Sequence, residues 1–192
     1  MPRRKEVEIK FWIENLPAVR RKLKVSGFHC VTPRTHEFNT LYDLPGLVLR
    51  GRGELLRLRK YGTIWTLTHK APGSAKSYKS RIETETQVSD GPAMAAILAS
   101  LGFRTTFEYE KFRAEWSDGV GQVVLDETPL GILGEIEGTS AWIDKTARIL
   151  EIDRASYVTA SYAELFFEWK RRTKHSADFM TFAAVGTAAA KL

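Results

Sequence analysis

Residues 6–11 read EVEIKF. Taken as a β-strand, successive side chains point to opposite faces. Glu6, Glu8 and Lys10 then share one face, and Val7, Ile9 and Phe11 share the other. A strand with one face in water reads the same way. The question is whether two carboxylates beside an ammonium are an exposed face or part of a lining.

The same test applied along the chain gives one repeated format. Strand-like segments are EVEIKFW (6–12), THEFNTLYD (35–43), LVLR (47–50), ELLRLRKY (54–61), TIWTLTHKA (63–71), SYKSRIETETQVS (77–89), RTTFEYEKFRAEWS (104–117), VGQVVLDET (120–128) and LGEIEGT (133–139). Arg57 and Arg59 share a face, as do Thr66, Thr68 and Lys70. Arg81, Glu83 and Glu85 line up, Lys111 and Arg113 do, and Glu135 and Glu137 flank Ile136. Gly62 and Asp118-Gly119 sit where hairpin turns are needed. About eight antiparallel strands are expected from the short connections.

Four amphipathic segments, 15–28, 89–103, 140–152 and 160–172, have the helical period. Helices that cover a sheet cover its apolar face, so the charged faces are left pointing at water or at each other. Closure into a barrel removes exposed edges and turns alternate residues inward. The expected fold class is α+β, an antiparallel sheet of about eight strands flanked by helices, either one open sheet with solvated charged faces or a closed β-barrel with a charged interior. Residues 1–172 are read as this domain and 173–192 as a C-terminal tail.

A charged interior is costly unless a counter-charge is bound, because pairing only partly offsets desolvation. Glu6, Glu8, Glu135 and Glu137 suit a divalent cation, and hard oxygen ligands favour Mg2+ or Mn2+. Lys10, Arg57, Arg59, Lys70, Arg81, Lys111 and Arg113 suit phosphate groups, arginine giving forked contacts. Metal and phosphates together account for both signs in one cavity.

Composition sets the outer limits. The 192 residues carry a net charge of +6, with 43% apolar and 27% charged residues. That fits a globular domain with anionic partners. No apolar run approaches the roughly 20 residues of a membrane span, and the start MPRRKEVEIK does not read as a secretory signal. Cys30 is the single cysteine, which excludes an intrachain disulfide and a cysteine metal cluster. His29, His36, His69 and His175 show no ligand spacing. A cytoplasmic location is the simplest expectation.

EVEIK resembles the ExExK signature of the CYTH superfamily, the triphosphate tunnel metalloenzymes. FNTLYD (38–43), LRLR (56–59), THK ending at Lys70, RIETE (81–85), EKFR (110–113), LDE (125–127), LGEIEG (133–138) and SYAEL (161–165) resemble the family's other blocks, in its order. The resemblance covers residues 6–166. It implies a closed eight-stranded antiparallel β-barrel, a tunnel with a charged interior flanked by helices, that hydrolyses or cyclises a triphosphate with magnesium or manganese. By motif, Glu6, Glu8, Asp126, Glu135 and Glu137 would hold metal or its waters. Lys10, Arg57, Arg59, Lys70, Lys111 and Arg113 would hold phosphates, and Arg81, Glu83 and Glu85 would complete the wall. Tyr162 falls in the late helix that closes the tunnel in relatives. Lys170 and Arg171 are the counterparts offered for a late lysine.

Class IV adenylyl cyclases of that superfamily carry an HF pair before ExExK. Here MPRRK stands instead, which favours hydrolysis of tripolyphosphate, a nucleoside triphosphate or thiamine triphosphate over cyclisation of ATP. Glu83 or Glu85 would orient the attacking water, with Lys70 beside them in the catalytic group. Trp12, Phe38 and Tyr42 are the aromatic candidates for a purine. The expected partner is a small triphosphate, not a membrane or nucleic acid, with a homodimer left open. The rival class is a non-catalytic binder of polyphosphate or RNA, with KRRTKH (170–175) as its contact. Glu6 and Glu8 argue against it, since a pure phosphate binder gains nothing from carboxylates beside its anion.

Overall fold

The structure is a computed structural model that describes residues 4–72 and 79–186, with side chains described over 7–72 and 81–186. Eight strands run in the order β1 (Arg4–Trp12), β2 (His29–Asp43), β3 (Leu55–Tyr61), β4 (Ile64–Pro72), β5 (Lys79–Val88), β6 (Arg104–Ser117), β7 (Gln122–Thr128) and β8 (Gly131–Glu137). All pairings are antiparallel, and the spatial order β1-β5-β4-β3-β2-β6-β7-β8 closes on itself through β8 and β1. Closure leaves these strands without a free edge.

The seam between β1 and β8 shows why LGEIEG carries a glycine. Gly134 stands opposite Phe11 in the register. A Cβ at Gly134 would lie 2.1 Å from the Phe11 ring. Only hydrogen fits there, and the ring covers the bare backbone. Gly62, at φ +58°, makes the tight turn between Tyr61 and Ile64.

The helices cover the apolar outer faces. Helices α1 (Leu16–Val25) and α4 (Ser140–Ile149) pack Leu16, Leu23, Trp142 and Ile143 on Ile9, Phe11, Val123, Leu125 and Ile136. Helix α3 (Gly91–Ser100) brings Leu98 to Tyr42 and Leu58. Asn15, Asp90, Thr139 and Ser161 cap α1, α3, α4 and α5 (Tyr162–Thr173) with side-chain oxygens. Leu165, Phe166 and Trp169 of α5 join Phe107, Tyr109 and Leu133 in a further buried cluster. Burying such a side chain contributes about 1.5–3 kcal/mol, so α5 is a structural part of the barrel.

Three segments differ from the sequence reading. LVLR is not a strand: Val48–Gly51 is a short helical turn, α2. The Asp43 carboxylate accepts from the backbone N–H groups of Leu44, Leu49 and Arg50 and so organises that turn. Strand β2 begins at His29, six residues earlier than read, because register shifts around Pro33 let the strand pass a residue without an N–H. Residues 177–185, read as tail, lie against the barrel. Met180 donates to Glu108 O and accepts from Glu110 N, and its side chain is fully buried. The short helix α6 (Phe182–Val185) follows it.

No helix among the described residues is long and apolar enough to cross a membrane.

Candidate active site

The inward faces of all eight strands meet in a cavity of about 280 Å³, lined by seven basic and six acidic side chains. Its walls form three groups. On β1 and β8, Lys10 sits between Glu8 at 2.5 Å and Glu135 at 3.2 Å, and only 2% of Lys10 is exposed. Burial alone would push the Lys10 ammonium down, but Glu135 and Glu8 outweigh it and hold it well above its ordinary value. Glu137 lies opposite Glu8 in the register.

On β6 and β7, Lys111 donates to Asp126 at 2.9 Å, and Arg113 forks onto Asp126 at 2.8 and 2.6 Å. Arg113 also reaches Glu135 at 2.6 Å. From α5, the Tyr162 hydroxyl donates to Asp126 and lies 3.0 Å from Glu135. Burial and the two carboxylates keep that phenol protonated, far above its usual titration. Burial works against the Glu135 charge, but Lys10 and Arg113 hold its carboxyl well below the usual range.

On β3, β4 and β5, Arg59 lies 3.3 Å and Arg57 3.8 Å from Glu85, which also accepts from Thr68 at 2.6 Å. Lys70 pairs with Glu83. Arg81 lines the rim, its guanidinium donating to Gly53 O at 2.6 Å. The Nε atoms of Arg57 and Arg59 are buried and have no hydrogen-bond partner among the described residues.

Twelve of the fourteen residues assigned metal, phosphate or catalytic roles from the sequence line one cavity: Glu8, Lys10, Arg57, Arg59, Lys70, Arg81, Glu83, Glu85, Lys111, Arg113, Glu135 and Glu137. Asp126 stands behind the wall, fully buried, with both oxygens engaged. The Glu6 side chain lies outside the described residues, although its backbone opposes Arg81. Lys170 pairs with Asp178 away from the cavity, and Arg171 does not line it either. Trp12, Phe38 and Tyr42 do not line it, and Tyr42 is packed under α3.

Glu37, Asn39 and Glu115 were missed. Glu37 and Asn39 are wholly buried on the inward face of β2, and Glu115 lines the cavity on β6. The period-2 rule could have found all three. In HEFNTLYD it puts Glu37, Asn39 and Leu41 on one face, and it extends the Lys111–Arg113 face to Glu115.

The CYTH domain model matches residues 4–179. The chain belongs to the CYTH domain family. A curated relative, named "Putative adenylate cyclase" from Methanocaldococcus jannaschii, is 27% identical over 171 residues, covering 83% of this chain and 97% of that protein. Among solved structures, a "putative adenylate cyclase" from Vibrio parahaemolyticus superposes with a TM-score of 0.76 at 19% identity, covering 84% of this chain and 97% of that one. A protein from Pyrococcus horikoshii OT3 gives 0.72 at 24%, covering 83% and 98%. These likenesses show the fold. CYTH enzymes act on triphosphates as triphosphatases or cyclases and depend on metal.

Proposed function

We propose that this protein is a divalent-metal-dependent triphosphatase acting inside the barrel. The observation that carries the reading is the pair of buried Nε donors of Arg57 and Arg59, unpartnered among the described residues, in a cavity rich in cations. Buried donors are almost always satisfied, and a phosphate oxygen is the acceptor that matches a guanidinium fork.

The donor set fits a hard cation: Glu8, Glu135 and Glu137 offer only carboxylate oxygens on two adjacent strands. Among the described residues no three His, Cys, Asp or Glu side chains already form a cation cage. Asp126 serves better as counter-ion to Lys111 and Arg113, because it is fully buried behind the wall, whereas Glu135 lines the cavity. Glu8, Glu135 and Glu137 would hold the Mg2+ or Mn2+, which would supply Lewis-acid stabilisation of charge on the phosphates. Arg57, Arg59, Lys111 and Arg113 bind and orient the phosphates, and Lys10 and Lys70 add charge at the adjoining walls. Glu83 or Glu85 accepts the proton of the water that attacks the terminal phosphorus, and diphosphate leaves.

A "putative adenylyl cyclase" from Hippeastrum, which superposes with a TM-score of 0.62 at 19% identity over 85% of this chain and 96% of that one, has a dominant triphosphatase activity. That is consistent with the same preference here. Cyclisation would need a held purine, and none of Trp12, Phe38 and Tyr42 lines the cavity. The test is a screen of tripolyphosphate, thiamine triphosphate and ATP with Mg2+ and Mn2+, reading phosphate, pyrophosphate and cyclic AMP separately. Metal-dependent phosphate release supports the reading. Cyclic AMP with pyrophosphate as the main products of ATP would replace it with the cyclase.

A further inference from the structure

The cation wall has an anion sealed behind it. Glu37 is 0% exposed and pairs across the β2–β6 register with Lys111. Its Oε1 accepts from Asn39 Nδ2 at 2.9 Å and lies 3.5 Å from Lys111 Nζ. Its Oε2 lies 3.8 Å from Arg113 Nε and has no hydrogen-bond partner among the described residues. Lys111 and Arg113 give their close hydrogen bonds to Asp126 instead. Orientation of these cations is therefore the work of Asp126. What Glu37 adds is charge.

That charge is felt by four cations. Burial works against ionisation of Glu37, yet Lys111, Arg113, Arg59 and Arg57 together hold its carboxyl well below the usual range. It is an anion throughout neutral pH, fixed in a low-dielectric wall that water does not reach. These are the cations placed on the phosphates in the preceding reading. A permanent negative charge behind them opposes the arrival of any polyanion. A site shaped only for tight binding would carry Gln here, which keeps the shape and the contact to Asn39.

We infer that Glu37 is a positioning residue that limits how tightly the β2–β3–β6 wall holds polyphosphate, so that the product anion can leave. The inference rests on the triphosphatase reading. Glu37 itself does not touch substrate. It acts through Lys111, Arg113, Arg57 and Arg59, by opposing part of their field.

The experiment is calorimetric binding of inorganic tripolyphosphate and of pyrophosphate to the full chain in EDTA at fixed ionic strength. Glu37→Gln should bind both about tenfold more tightly than wild type, as removal of one nearby charge from a polyanion's field implies. Glu37→Asp keeps the charge and should stay within about twofold of wild type. In turnover with metal, Glu37→Gln should lower KM and kcat together, with stronger inhibition by pyrophosphate. A merely structural residue would lower the melting temperature and leave affinity equal or weaker. Because removing a buried anion costs stability, the shift in melting temperature on adding tripolyphosphate is read as well, and it should be larger in Glu37→Gln than in wild type. Equal or weaker binding by folded Glu37→Gln overturns the inference alone. Failure of wild type to bind tripolyphosphate takes the triphosphatase reading down with it.

Discussion

The Tyr162 hydroxyl is 2.5 Å from Asp126 Oδ2, and this contact ties α5 to the inner wall of the barrel. One phenol proton serves two carboxylates, since Glu135 lies at 3.0 Å on the other side. The ring also stacks on Tyr109 at 5.5 Å and faces Lys111 at 4.3 Å. Helix, cation cluster and carboxylate pair are therefore one unit. Tyr162→Phe keeps the ring and removes the proton shared by the acids. It should cost about 1–3 kcal/mol, read by denaturant titration, and reduce turnover. An unchanged midpoint would mean that the hydroxyl does not hold α5.

Acid should destabilise the barrel through its buried carboxylates. Glu37 and Glu135 both have folded values depressed below the unfolded range. Their contribution is fully present above the unfolded carboxylate value of about 4.3 and is lost as pH falls through the lower folded values. Lys10 works in the opposite sense. Its folded value is raised, so its contribution is full below about 10.4 and fades as pH rises beyond that. The melting temperature should therefore be nearly flat between these limits and fall on both sides. Glu37→Gln should flatten the acid limb, and an acid limb identical to wild type would remove Glu37 from this account.

Glu8→Gln tests the acidic wall. Glu8 is largely buried against Lys10, which keeps Glu135 as a second partner. Loss of one charged hydrogen bond costs about 1.5–3 kcal/mol, within a typical folding stability of about 5–15 kcal/mol. The variant should stay folded, and metal-dependent phosphate release should fall at least about a hundredfold, read by titrating Mg2+ and Mn2+. Full activity at low metal would take Glu8 out of the metal-binding set.

The barrel was legible because one rule, alternation of faces, applies to every strand. It groups the charged side chains of each strand on one face, and Lys10, Arg57 and Glu135 line the cavity from those faces. What escaped has local causes. Asp43 folds LVLR into a helical turn through three backbone bonds that hydrophobicity does not report. The start of β2 depends on bulges around Pro33, where composition argues against a strand. Met180 reaches β6 through backbone pairing, which a low-complexity sequence does not announce. Within the site, the identity of the lining residues was readable, but their partners were not. That Asp126 is enclosed by Lys111, Arg113 and Tyr162 while Glu8 opens to the cavity depends on depth, and alternation carries no depth.

The most direct test is the affinity of the barrel for inorganic tripolyphosphate when its unpartnered donors are removed. Arg57→Ala and Arg59→Ala, singly and together, should each weaken binding at least about tenfold, with the melting transition retained and KM raised accordingly. Tripolyphosphate bound as tightly by the double variant as by wild type would contradict the account, because the anion would then be held somewhere other than this cavity.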